Sequence, residues 1–262
     1  MALSAQQGAA YALITGDPGR VPDLARYLDA PMPVAQRREY TTWAGTLDGE
    51  RVLVSSHGIG GPSTAICVEE LAACGVRTLI RVGTCGGMAL SVCGGDLVVA
   101  SAAIRQEGTS QEYLPLAFPA VSDFSVTAAL AEAARSAGQR VHVGVVHCKD
   151  SFYGQHAPDT MPVRDRLRSQ WRAWIAGGCL ASEMESAALY TVAAVRGLRA
   201  GCILSVLWNQ ERRAAGLPDE DGGQETEGFV TQHTTADAAA VAVEALRRLL
   251  AQDRKEGQAH GF

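Results

Sequence analysis

The sequence has 262 residues, of which 47% are hydrophobic and 19% are charged, so it can bury one sizeable core and lies near the upper limit for a single domain. We therefore expect one domain over residues 1–262. The formal net charge of -5 gives no general attraction to nucleic acid or to an anionic membrane, so a local arginine cluster would have to hold any phosphate group. Small molecules are the expected partners.

The first ten residues, Met1–Ala10, lack the basic and apolar regions of a secretory signal peptide. No later apolar run is long enough to cross a bilayer, so we expect a cytoplasmic protein with no membrane partner. The seven cysteines include no Cys-x-x-Cys pair. Their spacing predicts reduced packing residues rather than a zinc site.

Apolar runs alternate with segments of helical periodicity along the chain. Six apolar runs predict buried strands: Tyr11–Thr15, Arg51–Ser56, Thr78–Val82, Asp96–Ala100, Val141–His147 and Gly201–Trp208. Four segments predict helices: Pro62–Cys74, Phe124–Ala137, Glu183–Arg196 and Thr235–Gln252. This alternation predicts an α/β fold with helices on both faces of a sheet and binding groups in the loops after the strands.

One hairpin interrupts the alternation, because Glu39–Leu47 and Arg51–Ser56 flank the turn signal Asp48-Gly49. A hairpin places antiparallel neighbours in the sheet, so we expect a mixed sheet. Further along, Glu211–Glu227 is polar, contains glycine and carries both signs of charge. Such a segment is typical either of a solvated surface loop or of an active-site lid.

Two predicted strands end in glycine turns that carry an arginine. Gly16-Asp17-Pro18-Gly19-Arg20 follows the first strand, and Arg81-Val82-Gly83-Thr84 ends the third. Glycines let backbone amides approach an anion closely, and a guanidinium supplies paired donors for phosphate oxygens. Each turn alone also has a purely structural interpretation, either as an ordinary turn or as an arginine paired with a carboxylate.

Seven motifs in register carry a resemblance to a known family. They are Gly16-Asp17-Pro18-x-Arg20, Arg38-Glu39-Tyr40-Thr41-Thr42-Trp43, Gly58-Ile59-Gly60-Gly61-Pro62-Ser63, Arg81-Val82-Gly83-Thr84, Phe118-Pro119-Ala120-Val121, Phe152-Tyr153-Gly154-Gln155 and Glu183-Met184-Glu185-Ser186. The chain resembles the uridine phosphorylases of the nucleoside phosphorylase superfamily over nearly its whole length. The resemblance implies a three-layer α/β/α domain around a mixed, partly closed sheet, assembled as a hexamer of three dimers. It also implies phosphorolysis of uridine with inorganic phosphate as co-substrate and no required cofactor.

The resemblance also implies where phosphate binds. The site within one subunit would consist of Gly16, Arg20, Arg81 and Thr84. Arg38 would reach in from the dimer partner, since the family register selects it over Arg37, although an arginine on the surface is the alternative. A shared site of this kind would make the dimer obligatory for activity.

A potassium ion at the dimer interface is a further implication. Its oxygen ligands would come from Glu39, Ile59 and Ser63. A serine that caps a helix and a glutamate on the surface explain two of the same residues without an ion.

The segment Glu183-Met184-Glu185 is implied to lie beneath the ribose, where its carboxylates accept hydrogen bonds from the 2′ and 3′ hydroxyls. On a regular helix Glu183 and Glu185 could not face the same way. Ser182-x-x-Glu185 also fits a capping box, which would explain Glu185 structurally. Bond cleavage builds positive charge on the ribose, which the oxygens of Glu185 and of a phosphate held by Arg81 would stabilise. We therefore expect Arg81 and Glu185 to be the catalytic residues, with no nucleophilic side chain.

The base site departs from the family pattern. The resemblance assigns three residues to the base: Phe152, Gln155 and His156. Two arginines found in many relatives are absent, since Ala157 and Gln210 stand at their positions. We expect the Gln155 carboxamide to pair with N3–H and a carbonyl of uracil. Three residues are candidates to replace the arginines: His156, Arg212 and Arg213.

Three other interpretations are weighed against this one. A purine nucleoside phosphorylase would need an acid to protonate its leaving base, and the last core strand has Asn209 rather than an aspartate. A non-catalytic nucleoside-binding protein would keep the same motifs. A dinucleotide-binding domain is disfavoured, because no Gly-x-Gly-x-x-Gly follows the first strand.

Two histidines, His142 and His147, lie on a predicted strand. They are interpreted as satisfied core or edge residues rather than ligands.

Overall fold

A ten-stranded sheet runs through the part of the chain that the computed structural model describes, residues 1–218 and 235–259. Its strands are β1 (Tyr11–Thr15), β2 (Asp29–Arg37), β3 (Tyr40–Leu47), β4 (Glu50–Ser56), β5 (Thr78–Gly87), β6 (Leu97–Gln106), β7 (Ala120–Val121), β8 (Val141–Lys149), β9 (Ala181–Glu183) and β10 (Arg199–Asn209). The α-helices of the same residues are α1 (Val21–Ala25), α2 (Gly61–Ala73), α3 (Thr109–Tyr113), α4 (Phe124–Ser136), α5 (Phe152–His156), α6 (Arg164–Ala176), α7 (Ser186–Arg196), α8 (Gln210–Ala214) and α9 (Ala236–Ala259).

The sheet is mixed and closes on itself over half its width. Its order is β10-β6-β8-β9-β5-β1-β4-β3-β2, with β7 paired to β6. Because β10 also pairs in parallel with β5 along nearly the whole length of both strands, the strands β5, β9, β8, β6 and β10 form a ring. The strands β1, β4, β3 and β2 extend from this ring as an open sheet. The predicted mixed, partly closed sheet is confirmed.

Helices cover the sheet on both faces, and each face has its own apolar core. On one face, α2 and α7 pack against the strands through residues such as Leu71 and Leu189. On the other face, α1, α4 and α9 do so through residues such as Leu24, Leu130 and Leu246. Burying one such leucine stabilises the fold by roughly 1.5–3 kcal/mol, so the three layers cohere through these two cores.

The predicted hairpin is present as β3 and β4. Their antiparallel register ends with Leu47 opposite Glu50, and the two turn residues Asp48 and Gly49 have φ of 52° and 81°. Positive φ at both central positions is the requirement of the type I′ turn that Asp-Gly favours. The first strand of the hairpin begins at Tyr40 rather than at Glu39.

All six predicted strands occur, but several extend past their predicted ends. The strand β5 continues past its predicted end at Val82 as far as Gly87. Its glycines Gly83, Gly86 and Gly87 stay in the sheet, where they pair with β10 and, for the last two, also with β9. The predicted helix Glu183–Arg196 was wrong at its start: Glu183 belongs to β9, and α7 begins at Ser186. The last predicted helix runs on beyond Gln252 as α9.

The elements that were not predicted include β2, β9 and α6. The predicted segment Glu211–Glu227 begins with the helix α8, while residues 219–227 lie outside the described residues. All seven cysteines are free thiols, as expected. Within the described residues, none of the helices combines the length and the apolar character that a bilayer span requires.

Candidate active site

A cavity of about 740 Å³ opens where β1, β4 and β5 end. These three strands are parallel to one another, so their carboxyl ends meet at one edge of the sheet, where α/β proteins generally bind ligands. The lining comes from the turns after β1 and β4, the end of β5, the segment 149–156 and the β9–α7 turn. Its volume is suited to a small molecule.

Arg81 forms the charged centre of this cavity. Its side chain is buried, its guanidinium is in close contact with Glu185, and one nitrogen lies 3.7 Å from an oxygen of Glu183. Burial alone would lower the pKa of Arg81, but the charges of Glu185 and Glu183 outweigh burial and raise it. The arginine therefore stays a cation and holds both carboxylates at one end of the cavity.

Glu185 is ionised for the reciprocal reason. Burial raises the pKa of its carboxyl, but the Arg81 charge and the Gly60 N–H, which donates to Glu185 Oε1 at 2.7 Å, together lower the pKa below its ordinary value. Both oxygens are thus oriented by fixed donors. Each keeps a lone pair that a ligand hydroxyl can use.

Gly83 makes room for the Arg81 side chain. A Cβ at this position would lie 2.1 Å from Arg81 Nη1 and 2.6 Å from Cζ, which is far inside van der Waals contact. The glycine that sequence analysis interpreted as an anion-approach residue therefore also lets the guanidinium fold back beside its own strand.

The β9–α7 turn explains how two glutamates two residues apart face the same arginine. Glu183 is in the last position of β9, and its carboxylate accepts hydrogen bonds from the backbone N–H groups of Glu185 and Ser186 and from the Ser186 hydroxyl. The alternative interpretation, a capping box between Ser182 and Glu185, was wrong: Glu183 provides the cap. The reason is that Glu183 still belongs to β9 and α7 begins only at Ser186, too far along the chain for Ser182 to be its N-cap.

The remaining residues assigned to phosphate within one subunit line the same end of the cavity: Gly16, Arg20 and Thr84. Among the described residues, the buried Nε of Arg81 has no hydrogen-bond partner. An unpaired buried donor is costly, so this nitrogen favours a ligand that supplies an acceptor.

Arg38 lies elsewhere. It is exposed at the turn between β2 and β3, with φ of 53°, and is not part of the cavity lining of its own chain. Its assignment to a partner's phosphate site stays a prediction. Glu39, Ile59 and Ser63 do line the cavity rim, and the Ser63 hydroxyl donates to Glu39 Oε1 at 2.7 Å.

The opposite end of the cavity is lined by aromatic and amide side chains. The three residues assigned to the base, Phe152, Gln155 and His156, all lie on α5 and line this end. The His156 ring lies 4.3 Å from the Phe152 ring and 5.4 Å from the Trp208 ring, centre to centre. Burial, followed by the charge of Lys149, lowers the pKa of His156 to about 4, so this ring is neutral at neutral pH and does not restore the charge of the missing arginines.

Lys149 is the residue that sequence reasoning missed. It ends β8, is 7% exposed, lines the cavity, and its ammonium donates to Ser182 Oγ at 2.8 Å. Burial lowers the pKa of Lys149, and the nearby Glu183 charge opposes that effect. The available signal was a lysine two residues after the predicted strand Val141–His147, since a lysine is rarely buried without a partner or a function.

The two arginines of the segment after β10, Arg212 and Arg213, do not line the cavity. Arg212 donates to the backbone carbonyls of Leu90 and Pro218, and neither Arg212 nor Arg213 is among the cavity residues. Asn209, at the position where a purine-specific relative would carry an acid, is buried and donates to the carbonyls of Ala89 and Val92. Its side chain therefore has a structural role, because it caps α8 and binds the backbone of residues 89–92.

A second cavity of about 940 Å³ adjoins the first through Lys149 and Gln155. Although it is larger, three of its four arginines, Arg166, Arg168 and Arg172, are exposed on α6. The fourth, Arg105, is buried but donates to Ser110 and to backbone carbonyls rather than to a carboxylate. We assign the chemistry to the smaller cavity for this reason.

The smaller cavity can therefore hold an anion and a polyhydroxylated group at one end and a flat polar ring at the other. Two buried basic side chains, Arg81 and Lys149, line the cavity. Such a site can stabilise charge that develops on two separating fragments, as in transfer of a glycosyl group from a base to an oxyanion.

Comparison with known proteins places this site in a family. A family model described as "Phosphorylase superfamily" matches residues 10–248, and the chain belongs to this superfamily. It is 51% identical over 243 residues to the uridine phosphorylase of Treponema pallidum strain Nichols, an overlap that covers 93% of this chain and 90% of the relative. It is also 44% identical to the uridine phosphorylase of Escherichia coli strain K12, over 93% of this chain and 94% of the relative.

A relative with a different name is also similar. The guanosine phosphorylase of Halorubrum lacusprofundi is 40% identical over 74% of this chain and 76% of its own length. The relatives thus include proteins named for a pyrimidine nucleoside and one named for a purine nucleoside. The residues at the base end of the cavity must decide which type of base this chain binds.

Proposed function

We infer that this chain is a uridine phosphorylase, a pentosyltransferase that converts uridine and inorganic phosphate reversibly to uracil and α-ribose 1-phosphate in pyrimidine nucleoside salvage. The observation that carries this inference is one cavity lined both by the buried, ion-paired Arg81 and Glu185 and by the Gln155 carboxamide and Lys149. The similarity to two uridine phosphorylases supports it, since they are 51% and 44% identical to this chain over 93% of its length.

Phosphate is bound by Gly16, Arg20, Arg81 and Thr84, and the ribose lies over Met184 with its hydroxyls on Glu185. As the bond between ribose and base lengthens, positive charge develops on the sugar, and the phosphate and carboxylate oxygens stabilise it. Phosphate then attacks the face opposite the departing base, so the product is inverted. Glu183 contributes mainly by capping α7, because its oxygens are occupied by backbone donors.

Negative charge develops at the same time on the departing uracil. Lys149 lies at this end of the cavity, and a buried ammonium stabilises such charge far better than it would in water. Gln155 pairs with N3–H and a carbonyl of the base. His156, neutral and flanked by Phe152 and Trp208, provides a flat wall for the ring.

The purine alternative has one observation in its favour, the similarity to a guanosine phosphorylase. It lacks an acid for the leaving base, because Asn209 is buried and bonded to two backbone carbonyls. The remaining alternative is a non-catalytic nucleoside-binding protein, which would bind uridine without phosphate-dependent release of uracil.

The deciding experiment compares kcat/KM for uridine, thymidine, cytidine and inosine, with and without phosphate, for the wild type and Gln155→Ala. We expect uridine to be the best substrate, cytidine to be roughly tenfold or more poorer, and Gln155→Ala to weaken uridine turnover. Inosine as best substrate would overturn the pyrimidine assignment. Release of free ribose in phosphate-free buffer would make the protein a hydrolase.

The assembly is proposed to be a hexamer of three dimers in the cytoplasm, with Arg38 of each subunit completing the partner's phosphate site. A potassium ion at Glu39, Ile59 and Ser63 is proposed to bind at the dimer interface. Light scattering tests the assembly, since a fully active monomer contradicts a shared site. Assays with potassium replaced by a large organic cation test the ion separately.

A further inference from the structure

The hydroxyl of Ser182 lies at the centre of a buried hydrogen-bond network behind the base end of the cavity. Three groups surround its Oγ: the Lys149 ammonium at 2.8 Å, the Gln155 carboxamide at 2.9 Å and the His147 Nδ1 at 3.1 Å. A hydroxyl can donate one proton and accept two hydrogen bonds. Lys149 only donates, so it occupies one lone pair, and the single proton is left for His147 and Gln155.

The tautomer of His147 is determined through Gln106, which two residues of α6 orient: Trp174, and Gln170, whose Oε1 accepts from Gln106 Nε2 at 2.7 Å. The Trp174 indole can only donate, and it donates to Gln106 Oε1 at 3.2 Å. His147 Nε2 contacts that same oxygen, which can only accept, so Nε2 must carry the imidazole proton. Burial, followed by the charge of Lys149, lowers the pKa of His147 to about 3, so the ring is neutral. Its Nδ1 therefore presents a lone pair to Ser182.

The orientation of Gln155 is determined from the opposite side. The Trp171 indole donates to Glu211 Oε1 at 2.8 Å, and Gln210 Nε2 faces the same carboxylate oxygen at 3.4 Å. Gln210 consequently turns its carbonyl oxygen toward Gln155, whose Nε2 donates to it at 3.1 Å.

The carbonyl oxygen of Gln155 is thereby left facing Ser182. The ammonium of Lys149, bonded to the same hydroxyl, also favours an oxygen there over an NH₂ group. Both His147 Nδ1 and Gln155 Oε1 thus require the one Ser182 proton. The network is one donor short, although each of its members lies within hydrogen-bond distance of the next.

We propose that His147 is a positioning residue for base specificity, because it competes for the Ser182 proton and so leaves the Gln155 carbonyl oxygen open to an N–H of the substrate base. The inference rests on the base role proposed for Gln155. Uracil and thymine supply the missing donor through N3–H, after which Ser182 can donate to His147 without loss. Cytosine presents a lone pair at N3 and adds a third acceptor to a network that already lacks a donor.

The first test is the variant His147→Phe, which keeps an aromatic ring beside Trp171 and Trp174 but removes the competing acceptor. Ser182 then donates permanently to Gln155, and N3–H no longer relieves an unsatisfied oxygen. We expect KM for uridine to rise about three- to tenfold, with kcat changed less than twofold and cytidine unaffected. The preference for uridine over cytidine falls by the same factor.

A second variant acts on the same proton from outside the site. In Trp174→Phe the Gln106 carboxamide, whose Nε2 donates to Gln170 Oε1 at 2.7 Å, can turn its NH₂ toward His147 when the Gln170 carboxamide turns with it. His147 then carries its proton on Nδ1 and donates to Ser182. We expect the same loss of preference as in His147→Phe, and no further loss in the double variant, because both changes act through one hydrogen bond. Trp43→Phe on β3, the same chemical change at the other side of the fold, should leave the preference intact.

A spectroscopic readout separates this role from a merely structural one. In ¹⁵N-histidine-labelled protein, with His147 assigned by its loss in His147→Phe, Nδ1 should be unprotonated in the free wild type and should move upfield when uracil binds. In Trp174→Phe it should be protonated before uracil is added. A protonated Nδ1 in the free wild type overturns the proposal.

The two levels of inference fail in different ways. If the wild type does not prefer uridine to cytidine, or if Gln155→Ala leaves uridine turnover unchanged, the base role of Gln155 fails and the role of His147 fails with it. If both hold and His147→Phe and Trp174→Phe keep the full preference, only the role of His147 is overturned.

Discussion

The two ends of the cavity are built in opposite ways. At the phosphate and ribose end, charged side chains are fixed by the backbone: Gly60 N–H holds Glu185, and the β9–α7 turn holds Glu183. At the base end, neutral side chains hold one another, and Gln155 depends on Ser182 and Gln210 for its orientation. Lys149 is the charged exception there.

This difference separates the parts of the reaction that any nucleoside shares from the part that distinguishes one base from another. Phosphate and ribose are common to all substrates, and a site anchored by strand ends and backbone N–H groups serves them without adjustment. The base end can change its preference when a carboxamide turns, because amide oxygen and nitrogen differ in polarity but hardly in shape. Substitutions at the two ends should therefore have different kinetic signatures.

The largest effect is expected at Arg81. Arg81→Ala removes a donor to the charged transition state and should lower kcat/KM by roughly two to three orders of magnitude, but it also leaves two buried carboxylates unpaired. Arg81→Lys keeps the charge, so the fold is retained, and should still lower kcat/KM more than tenfold because the paired donors are lost. Arg196→Lys, in the exposed pair with Glu69, is the control. Equal effects in the two lysine variants would contradict the prediction.

Lys149→Met should have the next largest effect and should mark the base end as a second centre of charge stabilisation. Methionine fills a similar volume without the ammonium, so kcat should fall by about two orders of magnitude while KM changes much less. The chain's other lysine, Lys255, is exposed on α9, and Lys255→Met should not alter turnover. A rise in KM at constant kcat would show that Lys149 only helps to bind the substrate.

Two glycines of β5 allow the two ends of the cavity to be perturbed separately. Gly83→Ala would place a methyl group 2.1 Å from Arg81 Nη1, whereas Gly86→Ala would meet Trp208 O at 3.9 Å and Gln155 Nε2 at 4.0 Å. We expect Gly83→Ala to raise KM for phosphate about tenfold by displacing the guanidinium, and Gly86→Ala to leave it within twofold. Initial rates at varied phosphate test this, and similar values for both variants would contradict it.

The sequence predicted the layers and the strand-end motifs because these depend on local patterns. The apolar runs of β1 and β8 and the glycine turn after β1 are visible without tertiary information. Ring closure was visible only through resemblance, since β5 and β10 are more than one hundred residues apart along the chain and pairing at that distance leaves no periodic signal.

Within the site, the errors have physical causes. Glu183-Met184-Glu185 has the composition of a helix start, yet tertiary pairing of β9 with β5 and β8 keeps Glu183 extended. Lys149 was missed because strand periodicity gives no reason to single out its last residue. The networks around Ser182 depend on α6, which sequence analysis did not predict, so the tryptophans that orient it had no assigned place.

The smallest expected effect concerns histidine protonation and stability. Burial first, and then Arg81, lowers the pKa of His57 from its ordinary 6.5 to about 4; burial and Lys149 lower the pKa of His147 to about 3. A group with a lowered pKa in the folded state binds fewer protons than it does when unfolded. The free energy of unfolding is therefore highest above pH 6.5 and decreases as the pH falls below it, by at most about 1.4 kcal/mol per pH unit for each such histidine.

Between pH 6.5 and 5 the carboxylates with lowered pKa, such as Glu185, are still ionised in both states, so histidines dominate this window. Urea unfolding at pH 7.5, 6 and 5 should show the decrease in the free energy of unfolding. In His57→Gln this free energy should depend less steeply on pH, by the contribution of one histidine. His142, exposed enough to reach solvent while bonded to Asp96 at 2.8 Å, provides the control His142→Gln. A stability that is constant or rises from pH 7.5 to 5 would contradict the burial of neutral His57 and His147.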